Sequence, residues 1–489
     1  MKYGFVIDHD RCIGCHACTV ACKAENDVPV GSFRTWVKYV EKGTFPSVKR
    51  HFAVLRCNHC TNAPCVKICP VNALEKRADG IVDVDRDACI GCRACMQACP
   101  YDALYVNEDL GAVEKCHYCA HRVEKGLEPA CVIVCPEQAI IAGDLDDPKS
   151  KIATTIRENK VQVRRPEQKT GPNVYYKGLE PSMIFPGEPS RPSQYIWSDR
   201  PKHKSEAWPI SLPVLPNTRV VLDAGHKVEW GWGVAAYLVT KGIAAGAGML
   251  APFAAALGLT GWRGAYLPEI LAMVFTLATV VLLIEDLKKP WAFFRLLTRP
   301  NWTSWLVKGG IILGLFGAAS AAAVVLRLLK LDAAADGLRW AEALLGAGAA
   351  GYTAFLFGQC EGRDLWQSKW LLPSLLAQAV MCGGIVLAPF SGEPKYCGLT
   401  GVAGMLAFIA AALAERFGKH ETTNAKQGAA FLGTLKAGPV NAWTAGLALI
   451  FVGFAVGHFV PAIAFAFVLA GLYLYEWAYV RAGQLPPLS

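Results

Sequence analysis

Two eleven-residue stretches, CIGCHACTVAC at residues 12–22 and CIGCRACMQAC at 89–99, carry four cysteines each at the spacing C-x2-C-x2-C-x3-C. Between them Cys57, Cys60, Cys65 and Cys69 follow C-x2-C-x4-C-x3-C, and after them Cys116, Cys119, Cys131 and Cys135 follow C-x2-C-x11-C-x3-C. Three thiolates on one tight loop can grip three irons of a 4Fe-4S cubane, while the fourth, usually followed by proline, reaches a neighbouring cubane. Pro70, Pro100 and Pro136 follow the last cysteine of three groups, and Lys23 follows the first. Structural zinc is the plainer use of a C-x2-C pair, but it does not need four cysteines at these spacings with a trailing proline. A disulfide framework would suit an exported domain, yet MKYGFVIDHDRC shows no apolar core, twin arginine or cleavage site.

Short strands must enter and leave such loops. GIVDVDRDA (80–88) and DALYVNED (102–109) fit that role, as in small α+β ferredoxin modules. The remainder of the 489 residues is of another kind. Composition is 53% hydrophobic with mean hydropathy +0.28, high for a soluble chain. Division at residue 229 leaves 31 Lys+Arg against 28 Asp+Glu before it and 18 against 12 after it, so a water-exposed part precedes a membrane-embedded one. The net charge of +9 comes with no basic block interleaved with aromatics, which sets nucleic acid aside. No bis-pterin molybdenum site, GxGxxG fingerprint or nucleophile with its base is legible, so nothing in the first half reads as a catalytic centre for the main substrate.

With all sixteen cysteines in place, residues 1–150 resemble the four-cluster ferredoxin-type electron-transfer subunit of dimethyl sulfoxide, polysulfide, thiosulfate and sulfite-converting oxidoreductases. The resemblance implies four 4Fe-4S clusters, with the first cassette sharing two clusters with the fourth, and the second sharing two with the third. Carried over, Cys12, Cys15, Cys18 and Cys135 hold one cluster, and Cys116, Cys119, Cys131 and Cys22 a second. Cys57, Cys60, Cys65 and Cys99 hold a third, and Cys89, Cys92, Cys95 and Cys69 a fourth. It also implies a separate catalytic partner, a molybdopterin-type subunit, with a hydrogenase as the alternative.

Residues 151–229 read as a connector. Ten prolines, among them Pro166, Pro172, Pro181, Pro186, Pro189 and Pro192, favour an extended segment over a domain. Tyr175, Tyr176, Tyr195, Trp197 and Trp208 favour one docked on another surface, against a floppy linker. Beyond it, apolar runs of about 20 residues suit a ~30 Å bilayer core. They lie near 231–256, 265–284, 305–326, 338–358, 370–389, 398–414, 442–459 and 462–480, giving eight helices, or seven if the last two merge across Pro461. The loops after the second, fourth and sixth runs hold ten Lys and Arg (Lys288, Lys289, Arg295, Arg299, Arg363, Lys369, Arg416, Lys419, Lys426 and Lys436). The loops after the first, third and fifth hold five (Arg263, Arg327, Lys330, Arg339 and Lys395). The positive-inside rule then puts the cysteine domain in the cytoplasm, at the inner membrane of a bacterium or archaeon.

The stretches WGWGVAAYLVTKGIAAG (230–246), RPNWTSWLVKGG (299–310) and GYTAFLFGQCEGRDLW (351–366), with Pro373 in the fifth run, resemble the polysulfide-reductase membrane subunit, or NrfD-like, family over residues 230–489. That resemblance implies direct exchange with a quinone, menaquinone or ubiquinone, so the chain reads as a quinone-reactive subunit. A haem b anchor would need paired intramembrane histidines, and only His420 and His458 follow residue 229, so no haem is expected. Ionisable and polar groups in such helices are functional candidates. Tyr237 and Lys241 share one helix face, and Tyr237, Tyr352 and Gln359 fall in the half nearest the clusters. The resemblance makes Tyr237 and Tyr352 the partners of the quinone carbonyls; interhelical or interfacial tyrosines are the plainer reading. Lys241 could instead pair with Glu269 or Glu476, and a proton path through Lys241, Glu269, Lys308, Glu476 and His458 is a further possibility. The whole reads as an α+β duplicated ferredoxin-like domain followed by an all-α polytopic membrane domain, wiring a catalytic subunit to quinone in either direction.

Overall fold

The computed structural model describes residues 1–190, 215–225, 228–457 and 460–489; Pro192, Tyr195, Trp197, Trp208 and His458 lie outside them. In the cysteine-rich part the strands are β1 (Tyr3–Asp8), β2 (Thr35–Thr44), β3 (Ser47–Arg56), β4 (Leu74–Lys76), β5 (Val82–Val84), β6 (Leu104–Asn107), β7 (Ala112–Lys115), β8 (Ile140–Asp144), β9 (Val161–Gln162), β10 (Val174–Lys177) and β11 (Thr218–Leu222). The central sheet runs β8-β1-β10-β9. Five of the six β1 residues are buried, because β8 pairs with it antiparallel on one edge and β10 parallel on the other. Phe5, Ile7, Ile140, Val174 and Tyr176 form the core of this layer.

Strand pairing decides which cysteines meet. β1 runs into the first cassette and β8 leaves the fourth, so the register Ile7↔Ile140 draws Cys12 towards Cys135. Likewise Leu74↔Val84 in the β4–β5 hairpin draws Cys69 towards Cys89. The repeated cassettes share one backbone shape. Gly14 and Gly91 have φ of 72° and 69°, and His16 and Arg93 both have φ of 61°. Glycine tolerates that left-handed turn without strain, and the turn lets neighbouring thiols point inward.

The expected connector differs from what forms. Residues 151–184 include the helix Lys151–Glu158 and strands β9 and β10, and they complete the sheet around β1. Buried Val174 and Tyr176 supply the alternating strand pattern that the proline count obscured. The ferredoxin-like layer therefore extends past residue 150.

Eight long helices follow: α1 (Trp232–Leu250), α2 (Gly261–Glu285), α3 (Trp305–Leu328), α4 (Asp332–Gly358), α5 (Leu371–Leu387), α6 (Pro394–Phe417), α7 (Ala442–Gly457) and α8 (Pro461–Gln484). They occupy the eight expected stretches. Among the described residues six helices are long and apolar enough to cross a membrane. α4 carries Asp332, Asp336, Arg339 and Glu342, and α7 has 16 residues, so eight spans is an approximate count. The polypeptide enters this unit beside the third cassette, where Trp230 Nε1 donates to the Cys92 carbonyl at 3.2 Å. It leaves on the same face, where Gln97 donates to Gln484 at 3.0 Å.

α1 and α5 are buried at the centre, whereas α2 and α3 turn Val274, Leu277, Val281 and Leu315 outward. Small residues permit the central contact. A Cβ added at Gly246 of α1 would stand 2.0 Å from the Ala379 carbonyl oxygen, and one at Gly383 of α5 would stand 2.5 Å from that of Gly246. Close backbone approach through glycine is how membrane helices gain packing when hydrophobicity gives no preference for a protein neighbour over lipid. Gly246→Leu is expected to destabilise the solubilised protein by at least about 1–3 kcal/mol. A thermal melt in detergent will show this as a lower midpoint, with Gly337→Leu, where nothing lies within 4 Å, unchanged.

Candidate functional site: a line of thiols ending at an apolar cavity

The sixteen clustered cysteines fall into four spatial sets. Cys12 has Cys15, Cys18 and Cys135 as electrostatic neighbours, and the four line one small cavity. Cys22 has Cys116, Cys119 and Cys131. Cys65 has Cys57, Cys60 and Cys99. Cys95 has Cys69, Cys89 and Cys92, and these four line a second small cavity. Thiols ringing a space, rather than converging on a point, fit a cubane better than a single tetrahedral ion. The sets are electrostatic neighbours in series, through Cys18 and Cys131, then Cys57 and Cys116, then Cys65 and Cys95.

Their surroundings favour bound iron and added negative charge. Burial pushes the thiols of Cys60 and Cys92 up to about 12, so without metal they keep their protons at neutral pH, and iron must displace those protons on binding. Arg56, wholly buried, donates from Nη1 to Cys131 Sγ at 3.1 Å and lies 4.5 Å over the Phe5 ring. Lys76 Nζ donates to the Cys60 carbonyl at 2.8 Å and Lys115 Nζ to that of Cys116 at 2.5 Å. Backbone N–H groups of Ala73, Gly91 and Ala139 donate to Cys69, Cys89 and Cys135 at 3.2–3.4 Å. Such cations and donors stabilise a reduced cluster over an oxidised one.

The two ends differ in exposure. Cys15 is exposed, beside exposed Ile13 and Val20. The set of Cys69, Cys89, Cys92 and Cys95 is instead covered by the helical unit. Asn301 Nδ2 donates to the Cys69 carbonyl at 2.8 Å and Ser304 Oγ to that of Ile68 at 2.7 Å. Arg93, inside the third cassette, donates to the Glu229 carbonyl at 2.7 Å and pairs with Asp286 at 2.6 Å.

Next to Cys92 opens a cavity of about 520 Å³ between α1, α2, α3 and α4, lined by Cys92, Trp230, Tyr237, Asp286, Gly310, Gly314 and Tyr352 among mostly aliphatic side chains. Trp230 stacks on Phe357 and Trp366 at 5.8 and 5.6 Å between centroids, which fixes the wall beside the thiols. Of the four expected ligands, Tyr237 and Tyr352 line this cavity and are both 4% exposed.

Lys241 and Gln359 do not line it. Lys241 is buried behind Tyr352, 4.9 Å from the ring centroid, and donates to Thr353 Oγ1 and the Ala350 carbonyl. Gln359 caps α3 instead: its Oε1 accepts from the Trp305 N–H at 2.8 Å and its Nε2 donates to the Thr303 carbonyl at 2.8 Å. Glu269 does not pair with Lys241 either, since Arg339 takes it at 2.5 Å. Lys308 lies over the Trp305 ring at 4.9 Å. Sequence reasoning missed Asp286 and Arg93. A carboxylate closing an apolar run and an arginine inside a cassette were the available signals.

Comparison with known proteins agrees with both halves. A family model described as 4Fe-4S dicluster domain matches residues 48–145, and one described as 4Fe-4S binding domain matches residues 3–24. A model described as polysulphide reductase, NrfD, matches residues 220–482. The chain is 46% identical over 189 residues to a tetrathionate reductase subunit of Salmonella typhimurium, covering 38% of this chain and 76% of that protein. It is 42% identical over 182 residues to the thiosulfate reductase electron transfer subunit of Salmonella typhi (37% and 93%). One of the polysulfide reductase polypeptides of Wolinella succinogenes is 43% identical over 168 residues (34% and 85%).

Arg56→Met should lower the midpoint potential of the cluster facing Cys131. The scale is about 59 mV for each 1.4 kcal/mol of lost preference for the reduced form. A redox titration followed by EPR measures it, with a smaller shift at the set holding Cys18, on which Arg56 also acts, and the two sets nearer the helices unmoved.

Proposed function

This protein belongs to the polysulphide reductase NrfD family and carries a 4Fe-4S electron-transfer domain ahead of the membrane part, and from that premise we propose that it joins a separate catalytic subunit to membrane quinone. Four 4Fe-4S clusters, when bound, supply one-electron transfer. The four thiol sets are their sites: Cys12, Cys15, Cys18 and Cys135; Cys22, Cys116, Cys119 and Cys131; Cys57, Cys60, Cys65 and Cys99; and Cys69, Cys89, Cys92 and Cys95. The exposed Cys15 end faces the catalytic partner, a molybdopterin-type enzyme. The relatives named above are parts of tetrathionate, thiosulfate and polysulfide reductases, which favours that partner over a hydrogenase.

The cavity beside Cys92 carries the quinone reading. It is apolar enough for a prenylated ring, it touches the last thiol set, and Tyr237 and Tyr352 offer hydroxyls to the two carbonyls. Lys241 sits behind Tyr352 and supports its position rather than touching quinone, and Gln359 has no part in binding. No haem is needed when the quinone stands this close to a cluster. The cluster domain faces the cytoplasm at the inner membrane of a bacterium or archaeon, in keeping with the basic residues Lys288, Lys289, Lys369 and Lys419 on its side of the helices.

Tyr352→Phe is expected to slow quinone-coupled turnover while leaving every cluster EPR signal intact. Gly314→Phe, which adds a ring where no atom lies within 4 Å of a new Cβ, should abolish it by filling the cavity. Full turnover in both variants would place the quinone elsewhere. Mass spectrometry of complexes from gently solubilised membranes should find a large molybdopterin-type subunit. A C-terminal alkaline phosphatase fusion should be inactive, because α8 ends on the cluster side.

A further inference from the structure

Quinone chemistry at the cavity, the reading on which this inference rests, moves protons as well as electrons. Each quinone reduced takes two electrons from the clusters and two protons, one on each carbonyl oxygen, and quinol oxidation returns them. The cavity is walled largely by aliphatic side chains, so the protons need a route through polar groups.

A polar cleft of about 990 Å³ lies on the cluster side, between Gln168 and Lys169 of the ferredoxin-like layer and Ser368, His420 and Glu421 of the helical unit. Glu415, near the cluster-side end of α6, lines that cleft yet is 2% exposed. Its Oε1 accepts from the Tyr479 hydroxyl at 2.8 Å, and its Oε2 has no hydrogen-bond partner among the described residues. Deeper along α8, the Tyr479 ring stacks on Tyr475, and Glu476 lies 2% exposed with Oε1 unpartnered. Ser374 and Gln378 of α5 line this step: Gln378 donates to Ser374 at 3.4 Å and is an electrostatic neighbour of Glu476. Glu476 is the carboxyl whose charge acts on Lys241, and Lys241 lies against Tyr352 in the cavity wall. Buried carboxyls with free oxygens are costly in a membrane and need a functional reason.

On the far side the way is shut. Glu342 of α4 accepts from the Ser320 hydroxyl at 2.6 Å and Glu269 pairs with Arg339, but each, like Glu415 and Glu476, keeps one oxygen without a partner among the described residues, so it is packing that divides them from Lys241. Between Glu342 and Lys241, α1 and α4 pack so closely that a Cβ on Gly346 would meet the Ala245 carbonyl oxygen at 3.1 Å and Phe316 at 3.3 Å. That apolar waist separates the two polar regions. Asp286 lines the cavity but is ion-paired to Arg93.

We propose that protons pass between the cluster-side cleft and the quinone through Glu415, Tyr479, Glu476 and Lys241, so that protons and electrons reach the quinone from the same side. The test uses the whole complex in vesicles, with Glu415→Gln and Glu476→Gln. Each is expected to slow quinone-coupled turnover about 100-fold, with cluster EPR signals and binding of a quinone-analogue inhibitor unchanged. Glu415→Asp should recover most of the rate. Formate or azide should rescue Glu415→Gln, whose site borders the cleft, but not Glu476→Gln. A carboxyl band in the infrared difference spectrum of quinone reduction should vanish in Glu476→Gln. Normal turnover in both Gln variants while Tyr352→Phe or Gly314→Phe is slow would overturn the route and leave the cavity standing. Loss of turnover in Glu342→Gln or Asp286→Asn, but not in Glu476→Gln, would move the route to another side. If the cavity variants are themselves fully active, the quinone site is wrong and this route falls with it.

Discussion

Arg93 ties the two halves of the molecule into one conductor. It stands between Cys92 and Cys95, is 8% exposed, and spends its guanidinium on the Glu229 carbonyl and on Asp286. A buried cation left without its partners would cost several kcal/mol. The third cassette, the start of α1 and the end of α2 are therefore fixed to one another. That fixed seam puts the wall of the last thiol set against the wall of the cavity. Gly91 adds to it: a Cβ there would collide with Lys288 and the Gly111 carbonyl, so the loop after α2 lies directly on the cassette.

Polar groups in the helical unit follow the same economy. Lys241, Glu269, Arg339, Glu342, Glu415 and Glu476 are all buried, and none faces lipid, as the cost of an exposed charge in hydrocarbon requires. They divide into two regions with the tight contact around Gly346 and Phe316 between them. On the far side the carboxyls are held by Arg339 and Ser320. On both sides each carboxyl keeps one oxygen without a partner among the described residues, and those on the cluster side run from a polar cleft towards the tyrosine-lined cavity. Two glycine-mediated contacts, Gly246 against Gly383 and Gly446 against Gly471, bring α1 to α5 and α7 to α8.

The repeated cysteine spacing made the cluster domain legible because a cubane constrains ligands that are close in sequence. Hydropathy made the helices legible because a bilayer demands a fixed length of apolar sequence. The prolines misled the reading of residues 151–184: alternation at Val174 and Tyr176 formed an inner strand, parallel to β1 and reached only by a long crossover. Tyr237 and Tyr352 were legible as polar groups at the right depth. Gln359 was not, because its partners Trp305 and Thr303 lie more than fifty residues away.

The sequence by itself determined the ligand chemistry, the two-part organisation and the approximate number of helices, since each depends on local spacing or on composition. Tertiary structure decided the strand register that brings together the thiol sets the family resemblance had implied, that Lys241 stands behind Tyr352 rather than in the cavity, and that buried Glu415 borders the cluster-side cleft. Those facts depend on strand register and on helix contacts between residues far apart in the chain, which no local pattern specifies.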